Sequence, residues 1–99
     1  MNQIRLSNGN LYLENELYEK YFSSIDSIAL VEKGSLFLMM PVQQAGGGLL
    51  LKIRNAKGDR MVHAIEFFQQ YGLELEQDKI LDVTWNSDLC ALTFSINEP

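Results

Sequence analysis

Gly9-Asn10-Leu11-Tyr12-Leu13-Glu14-Asn15-Glu16-Leu17-Tyr18-Glu19-Lys20-Tyr21 is echoed about fifty residues later by Asp59-Arg60-Met61-Val62-His63-Ala64-Ile65-Glu66-Phe67-Phe68-Gln69-Gln70-Tyr71. Each stretch reads as a turn, a short strand and a short helix, with a hairpin to follow. In this alignment Leu11 falls on Met61, Glu16 on Glu66, Leu17 on Phe67, Tyr18 on Phe68 and Tyr21 on Tyr71, so the apolar and polar positions agree better than the letters do. The expectation is a single domain over 1–99 built from two degenerate repeats, 1–42 and 49–96, joined by a Gly-rich loop over 43–48. Units with incomplete cores bury their apolar faces against each other, which points to a pseudo-symmetric tandem of strand-helix-hairpin units.

The residues on either side fill in each unit. Asn2 to Leu6 alternates as a strand with Ile4 and Leu6 on one face, and Ser7-Asn8-Gly9-Asn10 supplies residues that tolerate positive φ in a turn. From Asn15 the period lengthens: Leu17 and Tyr21 fall four apart, and Glu14 and Glu16 sit where carboxylates suit a helix N-terminus. That helix ends near Phe22. Ser27 to Val31 and Ser35 to Met40 form a hairpin through Glu32-Lys33-Gly34, and Pro41 disfavours further central pairing. Leu49 to Asn55 is a strand with Leu49, Leu51 and Ile53 on one face and Lys52 and Arg54 on the other.

Two readings stand after the turn Asn55 to Asp59. Either a short strand at Arg60 to Val62 precedes a helix from His63 to Tyr71 closed by Gly72, or Asp59 caps a longer helix that begins at Arg60. Glu74 to Lys79 reads as a charged loop, and Ile80 to Trp85 with Leu89 to Ile96 as a last hairpin around Asn86-Ser87-Asp88. The fold class is therefore α+β: mostly antiparallel β-strands with two short helices.

A chain of 99 residues that is 46% hydrophobic has enough apolar material for one core. Its apolar runs are too short to span a bilayer, and its first residues lack the basic and apolar stretches of a signal peptide, so a cytoplasmic protein without a membrane partner is expected. Phe37, Met39, Phe67 and Phe68 are more apolar surface than a small monomer readily hides, which favours a homo-oligomer, most simply a dimer. Cys90, the one cysteine, shares an alternating face with Leu92 and Phe94 and reads as a buried strand residue.

The net charge of −5 hides an uneven distribution. Residues 61–99 carry one basic and seven acidic side chains, whereas residues 52–60 carry four basic and one acidic. Lys52, Arg54, Lys57 and Arg60 thus form a basic island, which either solvates one strand face and a turn or attracts phosphates, an acidic partner or the chain's own acidic tail. The other constellations assign no chemistry. Ala45-Gly46-Gly47-Gly48-Leu49 lacks the Gly-Lys-Ser/Thr ending of a P-loop and leads into a strand instead of a helix. His63, the one histidine, has no ligands at zinc spacing and no nucleophile to serve. Glu74, Glu76, Asp78 and Asp82 lack the pattern of a calcium loop. Trp85 reads as packing, since Asp82 and Asp88 beside it repel a nucleic acid. No catalytic residue, cofactor or metal is assigned, and an enzyme is the least favoured class.

Ser7-Asn8-Gly9-Asn10-Leu11-Tyr12-Leu13-Glu14-Asn15-Glu16-Leu17-Tyr18-Glu19-Lys20-Tyr21-Phe22 resembles the opening of AbrB/MraZ-type transcription regulators, in which a Gly turn, a short strand and a helix precede a β-hairpin. The second half looks like another copy, as in tandem members. The resemblance implies two interlocked units with swapped hairpins and basic residues near the turn on DNA; antitoxin members add a toxin-binding tail. The chain departs from the pattern at Asn10, where the family has Arg, and at Glu14 and His63, where it has Pro. Only the second copy keeps a basic turn, through Lys57 and Arg60. The functional expectation is a non-catalytic interaction or accessory module that docks an acidic protein through Lys52, Arg54, Lys57 and Arg60. The alternative is a small DNA-binding regulator or antitoxin-like protein.

Overall fold

Ten short strands and two short helices alternate along the chain in the computed structural model, which describes residues 2–43, 47–73 and 75–96. In order they are β1 (Gln3–Ser7), β2 (Asn10–Leu13), α1 (Asn15–Phe22), β3 (Ser27–Lys33), β4 (Leu36–Val42), β5 (Leu49–Leu50), β6 (Lys52–Ile53), β7 (Arg60–His63), α2 (Ile65–Gln69), β8 (Lys79–Asp82), β9 (Thr84–Asn86) and β10 (Ala91–Phe94). All pairings are antiparallel. The first sheet has the order β6-β7-β2-β1-β8 and the second β5-β3-β4-β10-β9. The α+β class expected from sequence is what the chain adopts. Residues 44–46 of the Gly-rich loop and Glu74 of the charged loop lie outside the described residues.

The two sheets are joined at both edges. Only Leu51 separates β5 from β6, and only Val83 separates β8 from β9, so each of these segments pairs in both sheets. Following the pairings from β6 through β7, β2, β1, β8/β9, β10, β4 and β3 returns to β5, and the core lies inside this closed circuit. Leu51 and Val83 both point inward, with 5% and 4% exposure, so the strand crosses from one sheet to the other at an apolar anchor. Period-two alternation fills the interior: Ile4 and Leu6 from β1, Leu11 and Leu13 from β2, Val62 from β7. From the second sheet come Met39, Leu92 and Phe94. The helices close the circuit with Leu17, Tyr18 and Phe22 from α1 and Phe68 from α2.

Arg60–His63 is a strand, which decides between the two sequence readings: β7 pairs with β2 from Asn10↔His63 to Leu13↔Arg60. Val62 thereby enters the core opposite Leu11, a burial no helix from Arg60 would give. The following helix is shorter than its periodic pattern. It covers Ile65–Gln69, and single-turn bonds carry the chain on to Gly72, which has φ +68°.

The end of the chain corrects another expectation. Cys90 is exposed, in the turn that joins β9 to β10, with φ +52°. The Asn86 side-chain carbonyl accepts from the Leu89 N–H at 3.0 Å, which holds the turn open past Ser87 and Asp88 and delays the strand until Ala91. Leu92 and Phe94 are buried as their alternation indicates. Phe37, Met39 and Phe68, counted above toward a partner surface, are also covered within the chain, and Phe67 is half-buried.

Candidate functional site

Directly opposed residues of antiparallel strands share a face, and the register of the first sheet therefore lines up one outward row across all five strands. It runs Lys52, Met61, Tyr12, Arg5 and Ile80. Arg54, two residues beyond Lys52, reaches back over this row. The Arg5 guanidinium carbon lies 4.3 Å and that of Arg54 4.8 Å from the centre of the Tyr12 ring. Both cations are thus held by one aromatic ring, an arrangement in which each contact contributes about 0.5–1 kcal/mol at an exposed site. The face joins basic and apolar groups, since Met61 and Tyr12 are half-buried and Ile80 is 60% exposed. Asp78 borders it, 3.6 Å from Arg5 and accepting a hydrogen bond from Ser7 Oγ at 2.6 Å.

The four residues of the basic island do not act as one group. Lys52 and Arg54 belong to this outer face, and Lys57 is exposed at the tip of the β6–β7 turn. Arg60 points the other way. It opposes the buried Leu13, its guanidinium carbon lies 3.8 Å from the centre of the buried Tyr18 ring, and it donates to the Gly58 carbonyl. Its position serves the packing of the turn onto α1. Arg5 and Tyr12 complete the face, and neither belongs to the island. Alternation marks both as outward, but nothing local in sequence brings β1 beside β6.

The turn itself is built around Asn55 and Asp59. Asn55 Oδ1 accepts from the N–H groups of Lys57 and Asp59 at 3.1 and 3.2 Å, and Asn55 Nδ2 donates to Asp59 Oδ2 at 3.0 Å. The other Asp59 oxygen accepts from the Asn15 N–H at 2.8 Å, the first residue of α1. Glu14 makes no side-chain cap there, so α1 is capped by a carboxylate 44 residues away in sequence. The Asn55 side-chain bond foremost, then the Asn15 N–H and the charges of Lys57 and Arg54, hold the Asp59 carboxyl below its ordinary value of 3.8 against an opposing effect of burial. A depressed carboxyl adds stability that is fully present above its unfolded value and is lost as pH falls through the lowered one. Asp59→Ala is accordingly expected to lower the thermal midpoint at neutral pH, and the gap from the native chain should narrow on acidification below about pH 4. Thermal melts of both proteins across that range check this; a gap that widens in acid contradicts it.

A groove of about 630 Å³ lies between β3, β5 and α2 and is walled by Ile28, Leu30, Leu49 and Phe67 with His63 and Glu66 at its polar side. His63 Nδ1 lies within hydrogen-bond distance of Asn10 Oδ1, at 2.9 Å. Among the described residues no group of three or more His, Cys, Asp or Glu gathers as metal ligands do, and no helix is long and apolar enough to cross a membrane.

The chain matches no protein-family model, no curated protein and no solved structure.

Proposed function

We propose that this protein is a non-catalytic cytosolic interaction module that docks an acidic protein segment on the outer face of its first sheet, through Arg5, Lys52 and Arg54 around Tyr12. The observation that carries the reading is the pair of guanidinium groups held over one tyrosine ring. A stacked guanidinium holds its side chain ordered, so less entropy is lost when it binds a carboxylate with two parallel hydrogen bonds, and an incoming carboxylate would compete at Arg5 with Asp78, 3.6 Å away. Met61 and Ile80 in the same row add apolar contact of the kind found at the centre of protein interfaces. Phosphate binding at the β6–β7 turn, the route of the DNA-binding alternative, has less support. Arg60 is engaged with Tyr18 and Gly58, and the Asp59 carboxylate lies near Lys57 and Arg54.

The charge-reversal variant Lys52→Glu/Arg54→Glu separates these readings while leaving the Asn55–Asp59 hydrogen bonds of the turn in place. Both side chains are exposed, so its urea midpoint should correspond to a loss of no more than about 1 kcal/mol, the Arg54–Tyr12 contact. Affinity for a Glu-rich peptide at low salt should fall at least about tenfold, the consequence of losing about 1.4 kcal/mol. Retardation of duplex DNA by the native chain, lost in this variant and steeply weakened by salt, would favour the DNA-binding regulator instead. Equal peptide affinity of the two proteins rules out this face as the docking surface.

A further inference from the structure

We infer that the two halves of the chain are related by an approximate two-fold axis through the Leu11–Val62 pair, and that the outer face on this axis takes its acidic ligand on one side only, as a single extended segment along the Lys52–Met61–Tyr12–Arg5 row. The second clause rests on the docking function proposed above; the first stands on the strand registers.

Those registers exchange as a set. Ser7↔Asn10 corresponds to Lys52↔Met61, Ile4↔Leu81 to Leu49↔Ile28, and Lys33↔Leu36 to Asn86↔Ala91. Within the two pairings that cross from half to half, Asn10↔His63 corresponds to Met61↔Tyr12, and Met39↔Leu92 to Phe94↔Phe37. Thus β1·β2 maps onto β6·β7, β1·β8 onto β5·β3 and β3·β4 onto β9·β10, while β2·β7 and β4·β10 map onto themselves. The mates Leu6 and Leu51, Leu11 and Val62, and Leu17 and Phe68 are all buried, so the exchange preserves the inner face. The turns behave alike. A Cβ on Gly9 would lie 2.6 Å from Ile65 at the start of α2, and one on Gly58 would lie 2.7 Å from Asn15 at the start of α1.

Under this exchange the basic row has a neutral mate. Lys52 maps onto Ser7, Met61 onto Asn10, Tyr12 onto His63 and Arg5 onto Leu50. Asn10 and His63 lie on the same sheet face as Met61 and Tyr12, across the axis, whereas Ser7 is buried and Leu50 sits on β5 of the second sheet, so the mate of the basic row presents neither Lys nor Arg. A ligand with its own two-fold symmetry, such as palindromic duplex DNA, would meet cations on one side and Asn10 and His63 on the other. A single acidic strand has no such requirement. From Arg5 on β1 to Lys52 on β6 is three strand spacings, about 14 Å, which about four residues of extended peptide span.

The test is a titration of the ¹⁵N-labelled full chain with a Glu-rich peptide at low salt, and in parallel with a palindromic DNA duplex. Shifts confined to Arg5, Tyr12, Lys52, Arg54 and Met61 at one peptide per chain are expected, together with a loss of at least about tenfold in Lys52→Glu/Arg54→Glu and a change of less than about twofold in Leu50→Glu. Peptide binding that shifts Ser7, Asn10 and His63 equally, or that takes two peptides per chain, overturns the one-sided site while leaving the docking function intact. No peptide binding at low salt overturns the docking function and the site with it. Duplex binding that shifts both rows overturns the one-sided site in favour of a symmetric ligand.

Discussion

Phe68→Ala is expected to cost about 3–5 kcal/mol, the range for truncating a buried phenylalanine, and so to remove much of the roughly 5–15 kcal/mol that holds a domain of this size folded. Phe68 is completely buried on α2. Its ring packs edge-on against Phe37 from the second sheet, 5.8 Å between centroids, and against Phe67 at 5.2 Å. Phe37 in turn meets Phe67, Tyr71 and Phe94. A helix of only five residues has little stability of its own, so the void cannot be refilled by α2 settling inward without loss of these contacts. Urea denaturation followed by tryptophan fluorescence and circular dichroism measures the change. Trp85 is the fluorescent reporter, stacked on Tyr21 at 4.7 Å and edge-on to the buried Phe22. A loss below about 1 kcal/mol would mean that α2 is not the closure of the core described above.

Gly9→Ala is expected to destabilise the fold by about 3 kcal/mol, combining the strain of a non-glycine residue at positive φ with overpacking. Gly9 has φ +82°, and a methyl there would lie 2.6 Å from Ile65 Cβ and 2.7 Å from Ile65 Cα. The second contact is with backbone, so trimming the side chain in Gly9→Ala/Ile65→Ala does not relieve it. The same residue accepts the Ala64 N–H at 3.0 Å through its carbonyl, so displacing the turn also breaks the link to the start of α2. The control is Gly34→Ala: Gly34 has φ +64°, but a Cβ there would meet nothing within 4 Å, and its substitution should show only the conformational part, about 1 kcal/mol. Equal losses at the two positions in thermal or urea unfolding would show that the contact with Ile65 contributes nothing.

Local sequence determined most of the elements because their causes are local. Alternation set β1, β2 and the β3–β4 hairpin, the i, i+4 spacing of Leu17 and Tyr21 set α1, and Asn8-Gly9 set the first turn. The misreading at Cys90 has an equally definite cause, since the Asn86 side chain competes for a backbone N–H that the strand would otherwise use. The apolar echo between the halves sets Leu11 against Met61, whereas the exchange inferred above sets it against Val62, its strand partner, and a slip of one residue in a strand exchanges inside for outside.

The α+β class, the outward placement of Lys52 and Arg54 and the concentration of positive charge in residues 52–60 are legible in the order of residues alone. Which cations share a surface follows instead from how the strands assemble. Strand order places β1 two strands from β7 and brings Arg5 and Arg54 to one tyrosine, and it takes Arg60 away to Tyr18 and Asp59 to the start of α1. Period-two alternation fixes a side chain's face within its own strand, because that depends on the backbone alone. Which strands lie side by side depends on how the inward faces of both halves pack together, a property of the whole core that no single segment encodes.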